Sequence, residues 1–330
     1  MKLNFMKLMF IIIMMLSMLI SISAKNWIGI WMGMEINLMS FIPFISKSKN
    51  KKSSKSMMIY FLTQSIGSIL MLFSILMMKF LFLNHLIMED MMNLLLLTSI
   101  LIKLGAAPFH HWFPKVMMNL MWMEALILMT WQKIIPLYML SLLPMTNTLF
   151  IPIILSSIIG AIGGMNYSSL LKIMSFSSIN HLSWIMIMIK CQIQWFKYFI
   201  LYSVIMFMLI ILLNDFNIYF LNQVDFCSNS ILEKFSISFL MLSLGGMPPF
   251  LGFLPKWMAI QSMIYYSMNF LLLILILMSV VTLFYYMRMI SPLLLMSTSL
   301  NKFFYKNKQS TYLYLIMMIN SLLPLFLIIF

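Results

Sequence analysis

Four ionisable side chains stand inside apolar runs where an ion should be expensive. They are Glu35 in "GMEINL", Lys103 in "ILIKLGAAPFHHWFPK", Lys133 in "WQKIIP", and Lys256, which closes "LGGMPPFLGFLPK". An ionisable group at a bilayer centre costs about 2.5–3.5 kcal/mol even on a lenient insertion scale, so its default reading is functional. The residue types suggest which function. Arginine keeps its proton in proteins, whereas a buried lysine can release one. A carboxylate about 6 Å away is worth roughly 2.8 kcal/mol at an effective dielectric near 20, or about 2 pKa units. Moving that carboxylate switches the proton affinity of the lysine. A Glu–Lys pair followed by further lysines thus has the parts of a proton relay with an electrostatic trigger. The relay requires Glu35 to lie beside Lys103, which is an expectation that spacing alone does not supply.

Secondary candidates surround these four. His181 in "SSINHLSW" is mid-span, with Ser177 and Ser178 one turn before it, and could join proton half-channels. His110 follows the first Gly/Pro break and could continue a path from Lys103. Lys79, Lys115 and Lys172 lie near span ends, where long cationic side chains snorkel to the headgroups. Glu124 precedes Lys133 by nine residues, which at 100° per residue puts it on the opposite helix face; it reads as a helix-end carboxylate. The "GAIGG" stretch at 160–164 reads as close helix packing between small residues, not as a nucleotide fingerprint, since no strand precedes it. The two cysteines, Cys191 and Cys227, are too few to hold an iron–sulfur cluster, which needs about four sulfur ligands. They are expected to be free thiols.

The elements that must position these groups are membrane helices. Of the 330 residues, 63% are hydrophobic and 8% charged, against roughly 25% charged in a soluble domain. Several apolar runs reach the ~20 residues that cross a bilayer as helices. The expected fold is an all-α polytopic membrane protein of about eleven spans, near 3–23, 26–45, 57–80, 91–113, 117–141, 149–166, 170–189, 195–220, 231–265, 268–290 and 311–329. The N-terminal stretch resembles a secretory signal but is read as the first span. Span nine is too long for one crossing, and "GGMPPF" at 245–250 explains it, because consecutive prolines remove backbone donors and break the helix. Freed backbone is tolerated at membrane depth only where protein or water satisfies it, so Gly105, Pro108, Gly246 and Pro249 are expected to be hinges beside the lysines.

The break is written twice. At an offset of 141, "GAAPFHHWFPK" (105–115) aligns with "GMPPFLGFLPK" (246–256), with Gly, Pro, Phe, Pro and Lys identical. The copies fall five spans apart, so they traverse the membrane in opposite directions. That is the inverted five-helix repeat of secondary transporters. The expected organisation is residues 1–141 as the first repeat, 149–290 as the second, and 311–330 as a C-terminal span.

Charge gives the orientation. Of the 21 Lys and Arg, three are the buried lysines and four lie on one face (Lys25, Lys79, Lys190, Lys197). All the others, including the five lysines of the "SKSKNKKSSKS" loop (46–56), lie on the other face. By the positive-inside rule, that loop and the N-terminus face the matrix or cytoplasm, and the C-terminus lies opposite. The net charge of +14 is therefore topological rather than a nucleic-acid footprint. With 41 Met, a single Arg (Arg288) and abundant AT-coded residues, the chain reads as organelle-encoded.

In this order, "LIKLGAAPFHHWFPK", "WQKIIP", "SSINHLSW" and "GGMPPFLGFLPKW" resemble the antiporter-like membrane-arm subunits of mitochondrial NADH:ubiquinone oxidoreductase, respiratory complex I, and its subunit 2 family in particular. The resemblance covers nearly the whole chain and implies eleven spans. It implies that Glu35 and Lys103 are the Glu–Lys pair, Lys133 the bridging lysine and Lys256 the outlet lysine of the second broken helix. It also implies a multi-pass location in the mitochondrial inner membrane, and partners among other membrane-arm subunits, neighbouring antiporter-like subunits and inner-membrane phospholipids. No cofactor is expected in this chain; FMN, iron–sulfur clusters and ubiquinone belong to other subunits. Lys115 and His111 fall outside the resembling pattern. The rival assignment is an Mrp-type cation/proton antiporter subunit, driven by an ion gradient instead of quinone reduction.

Overall fold

The computed structural model describes residues 5–46, 51–80, 85–144, 147–223, 231–295 and 311–321. Cys227 and the topological lysines Lys2, Lys47, Lys49, Lys302, Lys306 and Lys308 lie outside the described residues. Apart from one isolated bridge, Ser169–Phe220, the described chain contains no strand. It is all helix.

The chain divides into two compact units, Met1–Pro152 and Ile153–Phe330. The first contains α1 (Phe5–Ser23), α2 (Trp27–Ile45), α3 (Lys51–Phe80), α4 (His85–Leu104), α5 (Trp112–Met117), α6 (Trp122–Met129) and α7 (Trp131–Leu142). A 3-10 turn (Asn147–Leu149) follows and leads into α8 (Phe150–Met165). The second unit continues with α9 (Leu170–Lys190), α10 (Trp195–Asp215), α11 (Ile231–Gly245), α12 (Phe253–Tyr265), α13 (Asn269–Leu295) and α14 (Thr311–Ser321). Seven helical stretches are long and apolar enough to cross a membrane: α1, α2, α3, α6 with α7, the 3-10 turn with α8, α10 and α13.

The packing has the polarity of a membrane protein. In α1 the buried positions are Met14, Ser17 and Ser21, while Phe5, Leu16 and Leu19 face outward. Apolar side chains gain nothing from burial when lipid surrounds them, so small residues take the helix contacts. Gly33 of α2 shows how close these are: a Cβ there would lie 2.7 Å from Cβ of Ser21. In the second unit, every residue of α9 except Lys172 and Lys190 is buried. Across the "GAIGG" stretch a Cβ on Gly160 would meet the Asn180 backbone at 2.7 Å, and one on Gly163 the Phe176 ring at 2.5 Å. Small residues are required there by contact.

Two of the expected spans are interrupted at their Gly/Pro segments, as those residues require. The 91–113 span is α4, an irregular segment and α5. The 231–265 span is α11, an irregular segment and α12. Both first arms end in the same way. Gly105 has φ +67° and Gly246 φ +78°, a left-handed conformation cheap only for glycine. Gly105 N–H donates to Ile102 O and Ala106 N–H to Leu101 O; Gly246 N–H donates to Ser243 O and Met247 N–H to Leu242 O. This is the Schellman C-cap, formed twice at the offset of 141. The match extends past the break, where Phe113 N–H donates to His110 O and Leu254 N–H to Leu251 O. A third discontinuity was not anticipated: the run read as 117–141 is α6 and α7, meeting at Thr130.

Candidate functional site

The break changes where Lys103 stands. In an unbroken 91–113 helix it would be central, but it lies in the last turn of α4, one residue before the final Leu104. The negative end of the helix dipole favours a cation there. The side chain is buried at 7% exposure. Its Nζ lies 3.9 Å from Oε1 of Glu35 on α2 and 3.8 Å from Sδ of Met34. The expected Glu35–Lys103 adjacency is thus present. At 3.9 Å the contact exceeds a charge-assisted hydrogen bond, yet it carries about 4 kcal/mol of Coulomb attraction at an effective dielectric near 20. Glu35 is one-quarter exposed and Lys103 almost fully enclosed, so solvent screens the pair from the carboxylate side only. Gly67 of α3 makes room for the stem of the lysine, since a Cβ there would lie 3.0 Å from Cγ of Lys103.

Uncharged polar side chains and two small cavities lie between this pair and Lys133. Gln64 on α3 donates to the Lys103 carbonyl at 3.3 Å. Tyr60, one turn earlier, donates its hydroxyl to Oε1 of Gln132 at 3.2 Å, and Gln132 donates to Oδ1 of Asn37 at 3.0 Å. One cavity, of about 20 Å³, is walled by Asn37, Tyr60, Gln64, Lys103 and Gln132. The other, of about 10 Å³, has both Lys103 and Lys133 in its wall, with Tyr60, Gln64 and Gln132. About 10–15 Å³ and two to four polar partners suffice for one water. Lys133 is buried, with Nζ 4.9 Å from the centroid of Phe113. Reading charges alone misses Asn37, Tyr60, Gln64 and Gln132; their signal was polar amides and a phenol inside apolar runs.

Other candidates are placed separately. His110 lies in the irregular segment with Nδ1 3.3 Å from the Pro108 carbonyl and its ring 4.2 Å from that of His111. The Ala107–Pro108 peptide is cis. Glu124 does cap a helix end: Oε2 accepts from the Met121 N–H at 3.1 Å. It also pairs with Lys7 of α1 at 3.4 Å, a contact between residues too distant in sequence to foresee.

Lys256 is in the second unit, in the first turn of α12, and is 4% exposed. Its side chain reaches back across the break, and Nζ donates to the Gly245 carbonyl at 2.6 Å. It therefore also meets the carbonyl end of the preceding arm. A Cβ on Gly246 would come within 2.7–2.8 Å of its Cδ, Cε and Nζ, so this glycine serves both the turn and the lysine. Gly252 is a requirement that the sequence reading lacked: a Cβ there would lie 1.6 Å from the Ser243 carbonyl oxygen. His181 lies in the same unit, Nδ1 3.0 Å from the Tyr198 hydroxyl. Cys191 is a free, buried thiol. Among the described residues, no group of three His, Cys, Asp or Glu could hold a metal.

Long apolar helices, two glycine-capped breaks and buried lysines beside polar cavities define a multi-pass helical membrane protein of the antiporter-like class. Residues 24–284 match the family described as NADH:quinone oxidoreductase/Mrp antiporter, TM. The chain is 43% identical over 303 residues to NADH-ubiquinone oxidoreductase chain 2 of Anopheles gambiae, covering 90% of this chain and 89% of the relative. It is 44% identical over 305 residues to the chain 2 of Aedes aegypti, covering 91% and 89%. In fold it is similar to a chain of respiratory complex I from Thermus thermophilus with bound aureothin, with TM-score 0.78 and 18% identity over 88% of this chain and 71% of that one. The chain belongs to the NADH-ubiquinone oxidoreductase chain 2 family.

Proposed function

We propose that this chain is a proton-translocating membrane-arm subunit of an NADH:ubiquinone oxidoreductase. In this reading the relay is Glu35, Lys103, Lys133 and Lys256, with Glu35 as its electrostatic trigger and the lysines carrying the proton, and with His110 and His181 as secondary members. The observation that carries it is the buried Lys103, held at Coulomb rather than hydrogen-bond distance from Glu35, sharing a water-sized cavity with Lys133. Withdrawal of the Glu35 carboxylate raises the free energy of the Lys103 ammonium, and the proton moves through cavity water and the Tyr60–Gln132 pair towards Lys133. Return of the carboxylate resets the site. The hinge at Gly246 and Pro249 presents the Gly245 carbonyl to Lys256, and the hinge at Gly105 and Pro108 ends the helix dipole at Lys103.

The same reading includes eleven spans, two inverted repeats at 1–141 and 149–290, a C-terminal span from 311, and Lys256 as the outlet. It places the chain in the mitochondrial inner membrane, the N-terminus and the 46–56 loop towards the matrix and the C-terminus towards the intermembrane space. Its partners are the other membrane-arm subunits, including antiporter-like neighbours, and phospholipid. Redox chemistry, with FMN, iron–sulfur clusters and ubiquinone, is assigned to other subunits. The names of the curated relatives favour this reading over an Mrp-type antiporter, a class that the matched family also covers.

The test has two stages. On a native gel of gently solubilised membranes, the chain should run with the NADH-oxidising band; migration apart from NADH activity would transfer the assignment to an ion-driven antiporter. In the isolated complex, Lys103→Met should assemble and lose proton pumping, slowing the transfer step by about 100-fold or more. Normal pumping by that variant would remove Lys103 from the path.

A further inference from the structure

The second unit encloses a cluster of phenols that the relay above does not use. Tyr198 and Tyr202 lie one turn apart on α10, and Tyr285 and Tyr286 are adjacent on α13; all four are at most 2% exposed. They gather around α9, which supplies Ser177, Ser178 and His181. His181 Nδ1 is 3.0 Å from the Tyr198 hydroxyl, and its ring centroid is 4.8 Å from that of Tyr202. Ser178 neighbours the Tyr202 hydroxyl and Ser177 that of Tyr286, and the phenols of Tyr198, Tyr202 and Tyr286 are close enough to interact electrostatically. The rings of Tyr285 and Tyr286 are 4.6 Å apart. At the far end, Cδ2 of Tyr286 would lie 3.4 Å from a Cβ on Gly245, whose carbonyl holds the Lys256 ammonium.

The hydroxyls of Tyr202, Tyr285 and Tyr286 are fully buried, and their polar neighbours are the α9 serines and one another. Burying a hydroxyl carries a desolvation penalty even when it finds a partner, and phenylalanine would have the same shape without it. The chain carries 28 Phe, so the apolar alternative is in common use. Packing alone accounts for the rings but not for the oxygens. A phenol can accept a proton on one lone pair and release its own, passing a proton on without keeping a charge. That is the property wanted between a histidine and a lysine.

We infer that the hydroxyls of Tyr198, Tyr202 and Tyr286, with Ser177 and Ser178, form a proton-conducting chain that runs from His181 towards Lys256, with water bridging the last step from Tyr286 to the lysine. Each step breaks one O–H or N–H bond as the next forms, with no electron transferred and no charge left on the path. Tyr285 orients Tyr286. This inference rests on the proposed role of Lys256, and its test separates the two.

The experiment uses the whole complex in proteoliposomes, comparing NADH oxidation with proton uptake in Tyr202→Phe, Tyr286→Phe, Lys256→Met and Leu283→Ala. Leu283 lies beside Gly245 on the same helix as Tyr286 and carries no hydroxyl, so it controls for packing. The expected result is that both phenylalanine variants assemble and slow proton transfer by about 100-fold, the low end of what one positioned proton-transfer group contributes, while Leu283→Ala pumps normally. If both phenylalanine variants pump normally while Lys256→Met does not, the tyrosine path is wrong and the lysine relay survives. If Lys256→Met also pumps normally, the relay itself fails. An equal loss in Leu283→Ala overturns the inference in favour of packing. Either phenylalanine variant suffices if the other does not assemble.

Discussion

The two breaks share a backbone but not a chemistry. In both, a glycine at positive φ closes a Schellman cap, and the donors and acceptors agree at the 141-residue offset. At the first break the lysine precedes the glycine and faces a carboxylate, Glu35. At the second the lysine follows the break and folds back onto a carbonyl, that of Gly245. The position equivalent to Lys103 is Leu244, and the position equivalent to Lys256 is the exposed Lys115. One backbone device therefore ends a helix beside a buried lysine, and the lysine can lie on either side of the glycine. The second break is also tighter. Gly252 has no room for a Cβ, whereas its equivalent, His111, carries a full side chain.

This comparison can be broken or sharpened in four ways, from the largest expected effect downward. Gly252→Ala forces a carbon into the Ser243 carbonyl, in the class of substitutions costing about 4 kcal/mol or more. The chain should disappear from the assembled complex on a native gel, while His111→Ala should assemble normally; equal outcomes would show that the breaks are equally constrained. Next comes Gly246→Ala, which adds a clash with the Lys256 side chain to the left-handed strain of about 1–3 kcal/mol. Gly105→Ala carries similar strain, but its new carbon meets only the Phe113 and Trp112 side chains. Among complexes that assemble, Gly246→Ala should pump less per NADH than Gly105→Ala. The reverse order would detach Lys256 from its glycine.

Glu35→Gln comes third. It removes the trigger while keeping shape, so proton uptake per NADH should fall by several-fold, short of the roughly 100-fold loss expected for a missing proton carrier. A loss as complete as that of Lys103→Met would make Glu35 a carrier and not a trigger. The smallest effect is that of Lys115→Met. Exposed and at a span end, Lys115 should tolerate neutralisation within about 0.5 kcal/mol, with unchanged pumping. A loss matching Lys256→Met would mean that repeat position, not burial, selects the functional lysines.

What could be read beforehand follows from how local each signal is. The breaks were legible because Gly105–Pro108 and Gly246–Pro249 state their backbone requirements within a few residues. The buried lysines were legible because a charge in an apolar run is costly wherever the run folds. The junction at Thr130 was not, since neither glycine nor proline marks it. Asn37, Tyr60, Gln64 and Gln132 escaped notice because single amides and hydroxyls occur in many spans, and only a shared cavity distinguishes these four. Gly67 and Gly252 are needed because of a neighbour supplied by another segment, and no spacing rule names that neighbour.

The contact between Lys256 and the Gly245 carbonyl has an electrical consequence. A carboxylate cancels the charge of its partner; a carbonyl dipole only steadies it. Among the described residues, no carboxylate pairs with Lys256, so a proton arriving there adds a whole positive charge within the membrane. The membrane potential acts on that charge directly, with about 2.3 kcal/mol per 100 mV for a complete crossing. At Lys103 an arriving proton adds the same charge, but it lands beside Glu35, whose attraction holds the ammonium against the field. In the proposed relay, an opposing voltage should therefore empty Lys256, which has only a carbonyl to hold its proton, before Lys103, which has a carboxylate.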